Sequence, residues 1–324
     1  MKKALICGIS GQDGSYLAHL LLNKNYVVWG TSRDAQVSSL ANLERLGIRD
    51  HVHMLSMAQS DFRSVLNTLS RSEPDEIYFL SGQSSVGLSF DQPAESIESV
   101  VYGSLNLLEA VRFLGRPVRI YHASSSESFG DVKAGERASE LTPFRPRSPY
   151  GVAKASAHWL MANYREAYGL YCCNGILFNH ESPLRPARFV TRKIVSAACR
   201  IAAGSEQRLS LGRLDIGRDW GWSPDFVEAM WCMLQQDEPQ DYVIATGATN
   251  TLQSFVATAF AQVGLDWRAH VDFDPSLVRP SEIAYSAGNP EKAMAGLGWK
   301  ARVAFPQLIA KLVSAEQEIL SSQR

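Results

Sequence analysis

A short apolar run at residues 4–7 passes directly into Gly8-Ile-Ser-Gly11-Gln-Asp-Gly14, and that turn opens an amphipathic stretch at 15–22 carrying Leu17, Leu20, Leu21 and Leu22. No other feature limits the fold as strongly. Glycines at this spacing between a strand and a helix permit a tight turn. They also let backbone N–H groups approach a pyrophosphate, which then sits at the positive end of the helix. Three glycines can equally serve packing alone, so the signal gains its weight from the rest of the chain.

Downstream of the turn, strands and helices alternate. Runs at 26–30, 52–55, 76–80 and 118–122 read as strands, and stretches at 40–46, 62–69, 96–113 and 149–168 read as helices. Ser148 and Pro149 suit the N-cap and first position of the last helix. This order argues an α/β fold, a doubly wound parallel sheet of Rossmann-like type, with a dinucleotide at its first βα turn. After about residue 176 the rhythm changes: 179–188 reads as loop, 189–203 as helix, and a C-terminal helix falls near 306–320. The expectation is therefore a cofactor domain at 1–177 and a smaller C-terminal α/β substrate lobe at 178–324, with segments near 213–245 returning to the first.

Composition removes several classes. Lys plus Arg number 32 against 33 Asp plus Glu, a net charge of −1 that offers nothing to nucleic acid or an anionic membrane. The cysteines at 7, 172, 173, 199 and 232 are odd in number and lack metal-ligand spacing, which points to a reducing compartment. Met1-Lys-Lys precedes an apolar run too short for a secretory core. No stretch nears the roughly 20 apolar residues of a membrane span. A soluble, cytoplasmic protein is expected.

Two segments carry chemistry. Tyr150 and Lys154 stand at i and i+4, so they share a helix face. An ammonium there is expected to favour the phenolate, letting Tyr150 take a hydroxyl proton while a hydride leaves the same carbon. The pattern is common by chance, and its place after the fifth strand of a dinucleotide fold gives it meaning. Glu127 follows Ala123-Ser-Ser-Ser126, where that strand ends. A redox-only enzyme needs no extra carboxylate, whereas one that removes a carbon-bound proton beside a new ketone does. The bland alternative is a loop acid paired with a basic neighbour.

The second strand ends Trp29-Gly-Thr-Ser-Arg33, with no acid before Asp34. Ser32 and Arg33 suit a 2′-phosphate, so NADP is expected over NAD, the alternative being a solvated surface arginine. Between positions 185 and 218 lie Arg185, Arg188, Arg192, Lys193, Arg200, Arg208, Arg213 and Arg218, opposed by Glu206 and Asp215. That local excess suits a diphosphate-bearing substrate.

With these residues in view, the glycine turn with Gln12-Asp13, the Ser-Ser-Glu turn and the Tyr150/Lys154 pair resemble the extended short-chain dehydrogenase/reductases. Leu177-Phe-Asn-His-Glu-Ser-Pro183, Phe189-Val-Thr-Arg-Lys193, Arg218-Asp-Trp-Gly221, Val227-Glu-Ala-Met-Trp231, Gln235-Gln-Asp-Glu-Pro239 and Tyr242-Val-Ile-Ala-Thr-Gly247 are similar to the GDP-mannose 4,6-dehydratase family. The likeness runs from Ala4 to about Leu312.

The resemblance implies an NADP-dependent internal redox reaction. Tyr150, assisted by Lys154, takes the C4 hydroxyl proton as NADP takes the C4 hydride. Glu127 removes the C5 proton and assists loss of water from C6, and the hydride returns to C6. Ser125 stands where the family usually has threonine and bonds the sugar near O4. The cofactor is expected on Gly8, Ser10, Gly11, Gln12, Asp13, Gly14, Ser32, Arg33, Leu80, Ser81, Tyr150 and Lys154. The GDP-sugar is expected on Ser85, Ser125, Asn179, Lys193, Arg218, Arg279 and Glu282. The family pattern also implies a homodimer through the helices at 96–113 and 149–168.

The chain departs from that pattern in four places. Ser32-Arg33-Asp34 followed by Ala35-Gln-Val replaces paired arginines then serines, which leaves a tetramer open. Met57-Ala58 stands where an acid would face adenine. Leu80-Ser-Gly-Gln83 replaces a more apolar turn, and Arg213 and Gly217 replace the usual Asn and Lys. Another GDP-sugar dehydratase, a GDP-4-keto-6-deoxy-hexose reductase or epimerase, and a non-catalytic cofactor sensor stay open as alternatives.

Overall fold

The first apolar run becomes the middle of a seven-stranded parallel sheet. In the computed structural model, residues 1–133, 135–205 and 207–322 are described, so Glu206 lies outside the described residues. Among those residues the strands are β1 (Lys3–Cys7), β2 (Val27–Ser32), β3 (Val52–Ser56), β4 (Glu76–Phe79), β5 (Arg119–Ser125), β6 (Tyr171–Leu177), β7 (Asn179–Glu181), β8 (Leu209–Leu211), β9 (Gly217–Trp222), β10 (Tyr242–Ile244), β11 (Thr249–Thr251) and β12 (Val271–Phe273). The large sheet runs β10-β6-β5-β4-β1-β2-β3. Ala4 through Cys7 are wholly buried, as strands covered by helices on both faces must be.

The chain winds outward from β1 in both directions, which makes β1 and β4 the switch point of the topology. In such sheets the crevice beyond the carboxyl ends of the strands at that point receives ligands. Gly8 and Leu80 close the two strand ends there, with Leu80 N–H donating to the Cys7 carbonyl at 3.1 Å. One face of the sheet is covered by the helices Gln12–Asn23 and Ser223–Met233, around Leu17, Leu21, Phe226 and Met230. The other carries Phe62–Ser72, Gly103–Leu114 and Pro149–Tyr168, around Val65, Leu107, Leu108 and Met161.

A smaller α/β lobe has its own core. The helices Val190–Ala202, Leu252–Gln262 and Phe305–Ser322 pack around Trp220, Phe255 and Phe260, beside the sheet β11-β9-β7 and the pair β12-β8. Although β10 and the helix Ser223–Met233 lie late in the chain, β10 pairs with β6 and the helix packs on Gln12–Asn23.

Three expectations from sequence are corrected. The helix expected over 96–113 is interrupted: Pro93–Ile97 is followed by a π-turn at Glu98–Tyr102 and then by Gly103–Leu114. That wider turn coincides with outside bonds. The Ser99 carbonyl accepts from Gln59 Nε2 at 2.7 Å, and Ser99 Oγ accepts from Gln83 N–H at 3.1 Å. The segment at 179–188 is not all loop, because its first three residues pair with β9, a contact 41 positions away in sequence. Finally, β5 runs on to Ser125 rather than stopping at 122, so Glu127 sits on the single turn Ser126–Ser128 that ends it.

Candidate active site

Two cavities open at the switch point and share a wall. The first, about 850 Å³, is lined by the whole glycine turn: Gly8, Ser10, Gly11, Gln12, Asp13 and Gly14. Ser32, Arg33, Leu80 and Ser81 line it too. Gly8 holds a left-handed φ of +86°, and a Cβ on Gly14 would stand 2.4 Å from the Gly8 carbonyl oxygen. The turn can therefore lie against the helix start only because both positions are glycine.

Arg33 is mostly solvent-exposed and meets Glu95 at 3.4 Å, while Ser32 Oγ is buried with no hydrogen-bond partner. Met57 and Ala58 line the same space, with no acid between them. Gln59, which no motif in the sequence marks, joins them there, accepting from Ser81 Oγ and donating to Ser99.

Asp13 is the most heavily bonded member. Its carboxylate meets His180 Nε2 at 2.8 Å and accepts from Ser223 Oγ at 2.8 Å and Gln12 Nε2 at 3.0 Å. Burial alone would raise this carboxyl, but the charge and hydrogen bond of His180 outweigh it and hold Asp13 at about 2. His180 is correspondingly raised, burial being overcome by Asp13. His180 and Ser223 carried no separable signal in the sequence, since their partner lies 167 and 210 positions away.

The second cavity, about 510 Å³, gathers Ser125, Glu127, Tyr150 and Lys154 with Ser85, Asn179, Lys193, Arg218, Arg279 and Glu282. Ser148 caps the helix Pro149–Tyr168, its hydroxyl accepting from Gly151 N–H at 3.0 Å, and this aims Tyr150 and Lys154 inward. Lys154 Nζ donates to the Ala123 carbonyl at 2.8 Å, pinning the helix to the end of β5. Burial lowers its ammonium to about 8.

The expected lowering of the Tyr150 phenol is not found. Burial pushes it up to about 12, and Glu127 adds to the rise, while a hydrogen bond with Ser125 and the charge of Arg185 oppose it. Lys154 spends a hydrogen bond on Ala123, and its nitrogen stands 5.9 Å from the Tyr150 ring centre.

Glu127 is half-buried and raised by burial, with Arg218 and Arg279 pulling down and Glu282 and Asp131 pushing up. It makes no ion pair among the described residues, although the charges of Arg218 and Arg279 reach it. The two arginines converge instead on Glu282, Arg218 Nη2 at 2.8 Å and Arg279 Nη1 at 3.2 Å. A carboxyl and a phenol that both resist ionisation, with a serine hydroxyl beside them, form a wall able to give and take protons.

Of the basic cluster, Arg185, Arg188, Lys193, Arg213 and Arg218 line this cavity. Among the described residues Lys193 Nζ bonds only the Ser210 carbonyl, at 2.9 Å, and Arg213 pairs with Asp215 at 2.7 Å. Arg192 and Arg208 turn away to Glu316 and Asp272. Ser85 caps the helix Val86–Asp91 from the rim.

Comparison with known proteins bears on the same residues. The sequence profile of the GDP-mannose 4,6 dehydratase family matches residues 5–312. GDP-mannose 4,6 dehydratase 1 of Arabidopsis thaliana is 44% identical, over 100% of this chain and 92% of that protein. The Homo sapiens GDP-mannose 4,6 dehydratase is 42% identical, over 98% of this chain and 92% of its own length. Among solved structures, the UDP-glucose 4-epimerase of Thermus thermophilus in complex with NAD superposes with a TM-score of 0.86 at 26% identity, covering 97% of this chain and 99% of that one. The dTDP-glucose 4,6-dehydratase DesIV of Streptomyces venezuelae gives a TM-score of 0.86 at 21% identity, over 99% of this chain and 98% of that one, a likeness of fold.

Proposed function

We propose a function from one premise: this chain belongs to the GDP-mannose 4,6-dehydratase family, and it converts GDP-mannose to GDP-4-keto-6-deoxy-mannose. One observation carries the reading. A carboxylate, a phenol and a serine hydroxyl share a wall of a cavity ringed by arginines, and that cavity adjoins the glycine turn.

The residues of the first cavity fit a nicotinamide dinucleotide. Gly8, Gly11 and Gly14 leave a cradle that a Cβ on Gly14 would distort, at the N-terminus of a 12-residue helix. When bound, the nicotinamide supplies the hydride chemistry that side chains lack. NADP is our choice over NAD, supported by Arg33 and the orphaned Ser32 hydroxyl at the end of β2. Tighter binding of NAD than of NADP would overturn that choice.

The side chains divide the proton work. Tyr150 first gives up its own proton to solvent, the nearby Lys154 charge stabilising the phenolate against the burial that opposes it, and then takes the C4 hydroxyl proton, with Ser125 bonding both groups. Oxidation at C4 acidifies the C5 hydrogen. Glu127 removes it and protonates the C6 hydroxyl, which departs as water; C5 then takes a proton from solvent as the hydride removed from C4 is returned to C6. A carboxyl raised by burial suits this double duty, because its protonated form is easier to reach than that of an exposed glutamate. Arg218, Arg279, Lys193 and Asn179 hold the diphosphate side of the substrate, Ser85 and Glu282 the hydroxyls.

In this division of the chain, residues 1–177 and the returning helix and β10 hold the cofactor, and most substrate contacts come from 178–324. We place the protein in a reducing cytoplasm, on the strength of its five free thiols. The test is Glu127→Gln. Water loss should fall by roughly 10²–10⁴-fold, while adding GDP-mannose still produces reduced-nicotinamide absorbance from C4 oxidation. Dehydration at the wild-type rate in this variant would contradict the assignment.

A further inference from the structure

We infer that Arg188 is the cation that lets two anionic ligands occupy adjoining cavities, and that it thereby couples their binding. The inference rests on the proposed function, in which one cavity takes a dinucleotide and the other a nucleoside-diphosphate sugar. Both ligands carry a diphosphate, and like charges held close together repel.

The charged residues common to both cavities are Asp13, Arg185 and Arg188. Asp13 is offset by His180 at 2.8 Å. Arg185 leans on Glu181 at 3.3 Å, and the same carboxylate accepts from the Thr191 hydroxyl at 2.7 Å. Its charge is therefore already partly answered by the protein. Arg188 has no carboxylate partner among the described residues. Its guanidinium stands 5.3 Å from the Phe189 ring, on which Arg185 also rests at 3.7 Å.

Phe189 thus carries two guanidinium groups on the shared wall, one engaged and one available. Pro186 precedes Arg188 and the helix Val190–Ala202 comes after it, so the backbone is fixed at this junction while the side chain itself is exposed. An arginine so placed can bond phosphate oxygens on either side through its fork of donors. It screens one diphosphate from the other, so the penalty that each ligand imposes on its neighbour's affinity is reduced.

The experiment titrates NADP⁺ into the full-length protein with and without saturating GDP, and GDP with and without NADP⁺. GDP bears the diphosphate but no sugar, so nothing turns over. For Arg188→Gln, the ratio of paired to single affinity should fall by roughly fivefold or more, and by the same factor in both titrations because coupling is reciprocal. Arg188→Lys should restore most of the ratio, and raising the salt concentration should shrink it in the wild type. If both ligands bind Arg188→Gln with the wild-type ratio, the bridge is refuted while the assignment of the cavities stands. If the wild type binds neither NADP⁺ nor GDP, that assignment falls and the bridge with it.

Discussion

Asp13 shows how a side chain in a ligand cavity can also hold the fold. Its carboxylate joins the glycine turn to His180 on β7 and to Ser223 at the start of a late helix. Because Asp13 is held at about 2 instead of the usual 3.8, its contribution to stability is complete above pH 4 and is lost as pH falls through about 2. His180 is raised, so its share is complete below the ordinary histidine value and is lost as pH rises through its own. The carboxyl shift corresponds to about 2 kcal/mol. Asp13→Asn should therefore lower Tm at neutral pH and flatten the loss of Tm between about pH 4 and pH 2, as followed by thermal melts across pH. An acid limb unchanged in the variant would show that the pair is incidental. What was legible at this scale was local. Tyr150 and Lys154 are four positions apart, and one helix turn brings them together whatever else the chain does. The raised Tyr150 phenol was not legible, because it depends on burial by distant residues and on the charge of Glu127.

At the scale of elements, strand and helix order could be read because each apolar run on the sheet is short, continuous and bounded by polar turns. The π-turn at Glu98–Tyr102 could not, since what surrounds it includes Gln59 and Gln83 from other elements. Nor could β7, which exists only by pairing with β9. The two helices expected to form a dimer interface leave large apolar side chains in solvent: Phe113 is 73% exposed and Trp159 is 62% exposed. Tyr102, Val152 and Tyr168 are exposed on the same helical segments. Apolar exposure of this kind on neighbouring helices marks an association surface. We propose a homodimer through it. Analytical ultracentrifugation should give twice the chain mass, and Trp159→Glu should shift the protein toward monomer. A wild type that sediments as a monomer at micromolar concentration contradicts the proposal.

At the scale of the molecule, the doubly wound sheet delivers both cavities to one end of its strands. The turn after β1 builds one cavity, and the end of β5 with the helix Pro149–Tyr168 builds much of the other. The second lobe then closes the substrate side with Arg218, Arg279 and Glu282, which come from β9 and from a loop about 60 residues later. Their convergence was visible in sequence only through family likeness, because no local spacing brings Arg218 to Glu282. The shared wall at Arg185, Arg188 and Phe189 sets the two cavities side by side, as the proposed reaction requires. In the proposed reaction the hydrogen taken from C4 is the one returned to C6. The direct test is to incubate the protein with GDP-mannose carrying deuterium at C4, in the presence of NADP⁺ and without added reductant. The product should be GDP-4-keto-6-deoxy-mannose with that deuterium at C6 and a solvent-derived hydrogen at C5. A product without the label at C6, or no product until a reductant is supplied, would contradict the proposed reaction.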